Sequence, residues 1–123
     1  VRKSVGCEHT LESDISTRST VIIELYHTVL ELARRIENDK FEGRTLTLKI
    51  KYSDFSQITR SITTNKLLQT KDDILPAAKR LLGEVEYSAN HPIRLIGLSV
   101  SNPLPESEMH RAEWVQSYID FKD

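Results

Sequence analysis

The sequence predicts an α+β fold in which one four-stranded sheet carries two helices on one face and leaves the other face open. Three observations carry this. Residues 45–52 alternate strictly between apolar and polar side chains. Two segments, centred on residues 22–36 and 74–85, repeat apolar residues at three- and four-residue spacing. Strand and helix signals follow one another as strand, helix, strand, strand, helix, strand.

Taken in order, residues 3–11 read as a strand with Val5, Cys7 and Leu11 on one parity and Ser4, Gly6, Glu8 and Thr10 on the other. The first helical stripe is Ile22, Tyr26, Val29, Ala33 and Ile36, with Glu24, Glu31, Arg34 and Arg35 mostly off it. Several Ser and Thr residues precede it, so its cap is ambiguous. In 45–52, Leu46, Leu48, Ile50 and Tyr52 face one way and Thr45, Thr47, Lys49 and Lys51 the other. Ser53, Asp54, Phe55 and Ser56 predict a short hairpin into residues 57–64, where Thr59, Ser61 and Thr63 share a face. The second stripe is Ile74, Ala77, Ala78, Leu81, Leu82 and Val85. Pro76 fits only a first turn, which sets the N-cap near Asp73. Pro92 opens a last strand over 93–101, with Ile96, Leu98 and Val100 inward and Gly97, Ser99 and Ser101 outward. The βαββαβ order is that of a split, reversed ferredoxin-like sandwich. Asn102, Pro103 and Pro105 end the core, dividing the chain into a domain at 1–102 and a tail at 103–123.

A chain of 123 residues with 38% apolar composition is expected to form one domain that needs no disulfide or metal staple. Its single cysteine excludes an internal disulfide and a Cys-rich zinc site. There is no apolar run long enough for a membrane span and no basic-then-apolar leader, so the expectation is a soluble domain of a reducing compartment. The only methionine is Met109 and the chain opens at Val1, which reads as a piece of a longer protein or a processed one. The 17 basic and 18 acidic side chains nearly cancel. Their distribution is uneven, however. Residues 44–71 carry Arg44, Lys49, Lys51, Arg60, Lys66 and Lys71 against the single acid Asp54, whereas the tail from 106 is net acidic.

Catalytic and metal chemistry leave little trace. There is no Gly-rich phosphate loop, and His9, His27, His91 and His110 show no metal-ligand spacing. Asp72 and Asp73 are explained by a helix N-terminus, and Cys7, on an apolar parity, reads as a small core residue rather than a nucleophile. A binding domain is favoured over an enzyme. The open face would combine Lys49, Lys51, Arg60 and Arg94 with Thr45, Thr47, Thr59, Ser61, Thr63, Ser99 and Ser101. Short hydroxyls and main-chain N–H groups can bond phosphate oxygens, and the basic groups supply counterion release. Gly6 and Gly97 would let a backbone approach closely. Aromatic side chains for base stacking are missing from this face, so duplex backbone is the expected ligand. An ordinary solvated sheet face is also rich in Thr, Ser and Lys, and composition alone leaves both readings open.

Two stretches separate them: Arg2-Lys3-Ser4-Val5-Gly6 followed by Glu8-His9-Thr10-Leu11, and Ile93-Arg94-Leu95-Ile96-Gly97-Leu98-Ser99-Val100. With the βαββαβ order between them, they resemble the little finger (polymerase-associated) domain of Y-family translesion DNA polymerases of the bacterial polymerase IV type, over roughly residues 1–102. The resemblance implies that Arg2, Lys3, Ser4 and Gly6 lie along template phosphates. It implies that the sheet face rides in the duplex major groove, with contacts from Thr59, Arg60, Ser61, Arg94 and Ser99, to which the open-face reading adds Lys49, Lys51 and Thr63 as DNA-binding residues. It also implies no catalytic residue and no cofactor in this fragment, since catalysis and its Mg2+ belong to the parent's palm. The setting it implies is a monomeric, cytoplasmic, nucleoid-associated bacterial protein. In the tail, Gln116-Ser117-Tyr118-Ile119-Asp120-Phe121 resembles a sliding-clamp-binding hexapeptide, with Ile119 and Phe121 filling an apolar pocket, Tyr118 beside them and Gln116 fixing register. The competing readings are a tail docked on its own domain, and a standalone nucleic-acid-binding or protein-interaction module.

Overall fold

The computed structural model describes residues 4–102. The elements are β1 (Ser4–Ile15), α1 (Arg18–Asp39), β2 (Thr45–Tyr52), β3 (Gln57–Thr63), α2 (Lys71–Leu82) and β4 (Ile93–Ser101). The sheet order is β1-β4-β2-β3 and every neighbouring pair is antiparallel. Helix α1 packs over β1 and β4, α2 over β2 and β3, and the helices pack on each other. The expected α+β sandwich with both helices on one face is the observed one.

The core lies between sheet and helices. From β2 it takes Leu46, Leu48, Ile50 and Tyr52, all buried, while their alternates stay half-exposed. From β4 it takes Ile93, Ile96, Leu98 and Val100. The hairpin turn forms as its residues dictate. Asp54 Oδ1 accepts from the Ser56 backbone N–H at 2.9 Å and its hydroxyl at 2.6 Å, and Phe55 takes φ 72°.

Four expectations are corrected. Strand β1 runs to Ile15 instead of stopping near 11, and its pairing with β4 slips between Thr10 and Ile15. Helix α1 buries Val21, Leu25, Thr28, Val29, Leu32 and Ile36, about one residue's rotation from the stripe read in sequence; Tyr26 is exposed. Apolar residues cover more than half of this helix's circumference, and the phenol of Tyr26 is better left in water. The N-cap of α2 is Thr70, three residues before Asp73. Asp73 is the far half of a capping box: Thr70 caps its N–H and its carboxylate caps that of Thr70. Pro76 therefore sits in the second turn. The bond it cannot make is to the Asp72 carbonyl, on the exposed side of the helix. No described helix is long and apolar enough to cross a membrane. Arg2, Lys3 and the whole tail, with Gln116, Tyr118, Ile119 and Phe121, lie outside the described residues.

Candidate nucleic-acid interface

Strand register alone assembles the open face. Four cross-strand rows run from β1 through β4 and β2 to β3: Ser4, Ser101, Thr45, Thr63; then Gly6, Ser99, Thr47, Ser61; then Glu8, Gly97, Lys49, Thr59; then Thr10, Leu95, Lys51, Gln57. Three rows end in hydroxyls on β3, and no position is aromatic. Thr45 and Thr63 share a hydroxyl hydrogen bond of 2.8 Å, as do Thr47 and Ser61. These pairs hold short polar groups at fixed spacing, with one lone pair or proton of each left to a ligand.

Of the residues expected on this face, Ser4, Gly6, Lys49, Lys51, Thr59, Ser61, Thr63 and Ser99 are there. Arg60 is not. Its register partner is Leu48, so its parity is that of Ile58 and Ile62, and its guanidinium pairs with Glu84 beyond α2 at 3.7 Å. Alternation from Thr59 already placed it on the helix side. Arg94 is the unpaired residue of a bulge, between Ile93 opposite Tyr52 and Leu95 opposite Lys51. It sits at the hairpin end of the sheet, its Nε 3.2 Å from Asp14 Oδ1 and its guanidinium 5.3 Å from the centre of the exposed Phe55 ring.

Glu8 was missed. It lies in the middle of the face with Oε1 3.3 Å from Lys49 Nζ. Its parity with Ser4, Gly6 and Thr10 is legible in the sequence. Gly6 and Gly97 also act differently from expectation. A Cβ on Gly6 would come 2.8 Å from the Ser99 Cβ, and one on Gly97 would come 2.9 Å from the Glu8 Cβ. The space they leave is taken first by the neighbouring strand, not by a ligand.

The basic centre of the sequence is thereby divided. Arg60 pairs with Glu84, Lys66 with Asp73 and Lys71 with Asp72, all about α2, and Lys49 pairs with Glu8. Of the six basic residues in 44–71, only Arg44 and Lys51 make no ion pair among the described residues. Exposed pairs of this kind are worth about 0–1 kcal/mol, so a polyanion can compete for Lys49. Cys7 is half-buried on the helix side of β1. Burial, and then the nearby Glu31 carboxylate, push its thiol up to about 11, so it is no thiolate nucleophile at neutral pH.

Comparison with known proteins agrees with this architecture. The family profile described as "impB/mucB/samB family C-terminal domain" matches residues 2–113. DNA polymerase IV of Bacteroides fragilis (strain YCH46) is 60% identical over 123 residues, which are 100% of this chain and 34% of that protein. DNA polymerase IV of Akkermansia muciniphila is 38% identical over 122 residues, 99% of this chain and 33% of that protein. The chain thus spans about a third of the length of these curated relatives. A solved complex of the β-clamp processivity factor with the little finger domain of PolIV superposes with a TM-score of 0.65 at 26% identity, covering 83% of this chain and 90% of that one. A Y-family DNA polymerase chimera shares the fold, with a TM-score of 0.71 at 18% identity over 85% of this chain and 29% of that one.

Proposed function

The chain belongs to the impB/mucB/samB C-terminal domain family, the little finger of Y-family DNA polymerases, and from that premise we propose that its open sheet face grips primer–template duplex for a translesion polymerase. The observation that carries the reading is the face itself, four rows dominated by short hydroxyls, with two glycines and two lysines and without an aromatic side chain. Four strands at about 4.8 Å spacing put the outer strand axes about 14 Å apart, enough to span a major groove of roughly 12 Å and reach the phosphates on both of its sides. Hydroxyls and edge main-chain groups would bond phosphate oxygens. Lys49, Lys51 and, at the rim, Arg94 would replace counterions, with Ser4, Gly6, Thr59, Ser61, Thr63 and Ser99 along the strands. Arg2 and Lys3 are proposed to add phosphate contacts. Arg60 is left out because it faces the helices.

The domain contributes grip and position, not bond making. Nucleotidyl transfer and its Mg2+ are assigned to the parent's palm. The one potential metal-ligating group among the described residues contains sulfur and nitrogen and does not suit Mg2+, which takes oxygen ligands. The tail adds a tether. The hexapeptide 116–121 is proposed to bind a bacterial sliding clamp, a reading supported by the solved complex of a PolIV little finger with its clamp.

Affinity for primer–template DNA, measured against salt, tests the first part. The log–log slope is expected to correspond to about three to six phosphates. Lys49→Ala and Lys51→Ala each remove about 0.9 from that slope, equally for unrelated sequences, whereas Arg60→Ala leaves it unchanged. A salt-independent affinity overturns the proposal. Deleting residues 116–123 is expected to abolish clamp binding and spare DNA binding; clamp binding that survives the deletion overturns the tether.

A further inference from the structure

On the helix side of β1, away from the DNA face, three side chains of mixed donor chemistry converge. Cys7 and His9 are two residues apart on an edge strand, so both point toward α1, where Glu31 lies. Cys7 Sγ, a nitrogen of His9 and a carboxylate oxygen of Glu31 all lie within 4.8 Å of one another. His9 Nε2 is 2.6 Å from Glu31 Oε1. We propose that Cys7, His9 and Glu31 form a binding site for a single Zn2+-class ion, with the fourth position left to water or a further ligand.

The donor set is the first argument. One thiolate, one imidazole and one carboxylate are the three ligand types that Zn2+ takes, and the sulfur disfavours Mg2+ and Ca2+. Geometry is the second. Tetrahedral Zn2+ with metal–ligand distances of about 2.0–2.3 Å holds its ligand atoms about 3.4–3.6 Å apart. The three donor atoms lie within 4.8 Å of one another, so small side-chain shifts reach that spacing, and the His9–Glu31 pair opens from 2.6 Å by about 1 Å. Support from behind is the third. Glu31 Oε2 accepts from Arg35 Nη2 at 2.7 Å and Nε at 3.2 Å, and Arg35 Nη1 also donates to the Gly6 carbonyl at 3.2 Å. Arg35 thus fixes the carboxylate with Oε1 turned to His9 and ties it to the strand that carries Cys7, the outer support that metal carboxylates usually have. On binding, two protons leave to solvent: that of Cys7, which now donates to the Thr28 carbonyl at 3.6 Å, as the S–Zn bond forms, and the one His9 Nε2 shares with Glu31 Oε1, as the N–Zn bond forms. The sequence hides this site because its third ligand arrives from another element.

The bound ion would staple edge strand β1 to α1. Co2+ added to the full 123-residue chain is the probe. A thiolate-to-cobalt charge-transfer band that saturates at one ion per chain and is displaced by Zn2+ is expected. Cys7→Ser is expected to lose the band, and His9→Gln and Glu31→Gln each to weaken Co2+ binding at least tenfold. Zn2+ is expected to raise Tm in the parent chain and not in Cys7→Ser. No band at millimolar Co2+, or a band unchanged by His9→Gln and Glu31→Gln, overturns the proposal. Far-UV circular dichroism and DNA affinity of the variants show that they remain folded.

Discussion

Asp73 shows how one side chain can be misassigned and still act where it was expected. The sequence pointed to it as a cap, and it is one, from inside the helix. Its Oδ2 accepts from the N–H groups of Thr70 at 3.1 Å and Gln69 at 3.2 Å, and Oδ1 lies 3.2 Å from Lys66 Nζ. Partial burial works against ionisation, but these donors outweigh it and hold the carboxyl below its ordinary 3.8. A depressed folded value means that the contribution to stability is complete above about pH 5, and is lost as pH falls below 3.8 toward the folded value. Asp73→Ala is expected to cost about 1 kcal/mol in urea unfolding at pH 7. That difference is expected to shrink steadily as the titration is repeated at pH values falling below 3.8. Lys40 is the opposite case, a residue whose backbone no sequence pattern announced. It closes α1 at φ 53°, a position usually given to glycine, while the buried Phe41 behind it donates to the Ile36 carbonyl at 3.1 Å.

At the scale of elements, alternation was a better guide than helical period. Strands β2 and β4 bury the residues that their parity assigns, because a strand has only two faces and one of them must be covered. Helix α1 has no such binary choice. Two overlapping stripes compete on it, and packing against β1, β4 and α2 buries Val21, Leu25, Leu32 and Ile36. The β1–β4 pairing rests on Gly6 opposite Ser99 and Gly97 opposite Glu8. A methyl group at 97 would stand 2.9 Å from the Glu8 Cβ, a contact that only a backbone shift relieves. Gly97→Ala is expected to destabilise by about 1–2 kcal/mol even after the gain from stiffening the unfolded chain. Chemical denaturation measures it, with Ser99→Ala in the same strand expected to stay within about 0.5 kcal/mol.

At the scale of the whole molecule the decisive quantity is where charge lands. A net basic segment became two populations once folded. Arg60, Lys66 and Lys71 answer acids around α2, while Lys49 and Lys51 stay on the open face. Glu8 then partly cancels Lys49. Glu8→Gln frees that lysine and removes a repulsive charge from the phosphate path. Under the proposed function it is expected to raise DNA affinity about threefold to tenfold at low salt, a gain that shrinks as salt rises. Affinity at several salt concentrations checks this, and an unchanged affinity would place the duplex away from this row.

The sequence by itself determined the element order, the hairpin, the parity of β2 and β4, and the hydroxyl character of the open face. All of these are local, set by period-two patterning, turn chemistry and proline geometry over a few residues. Only the tertiary structure decided which stripe of α1 is buried, that Arg60 turns to Glu84, that Glu8 answers Lys49, and that Glu31 meets Cys7 and His9. Each of those joins side chains from different elements, and no pattern along one strand or helix encodes the register and rotation that bring two elements together.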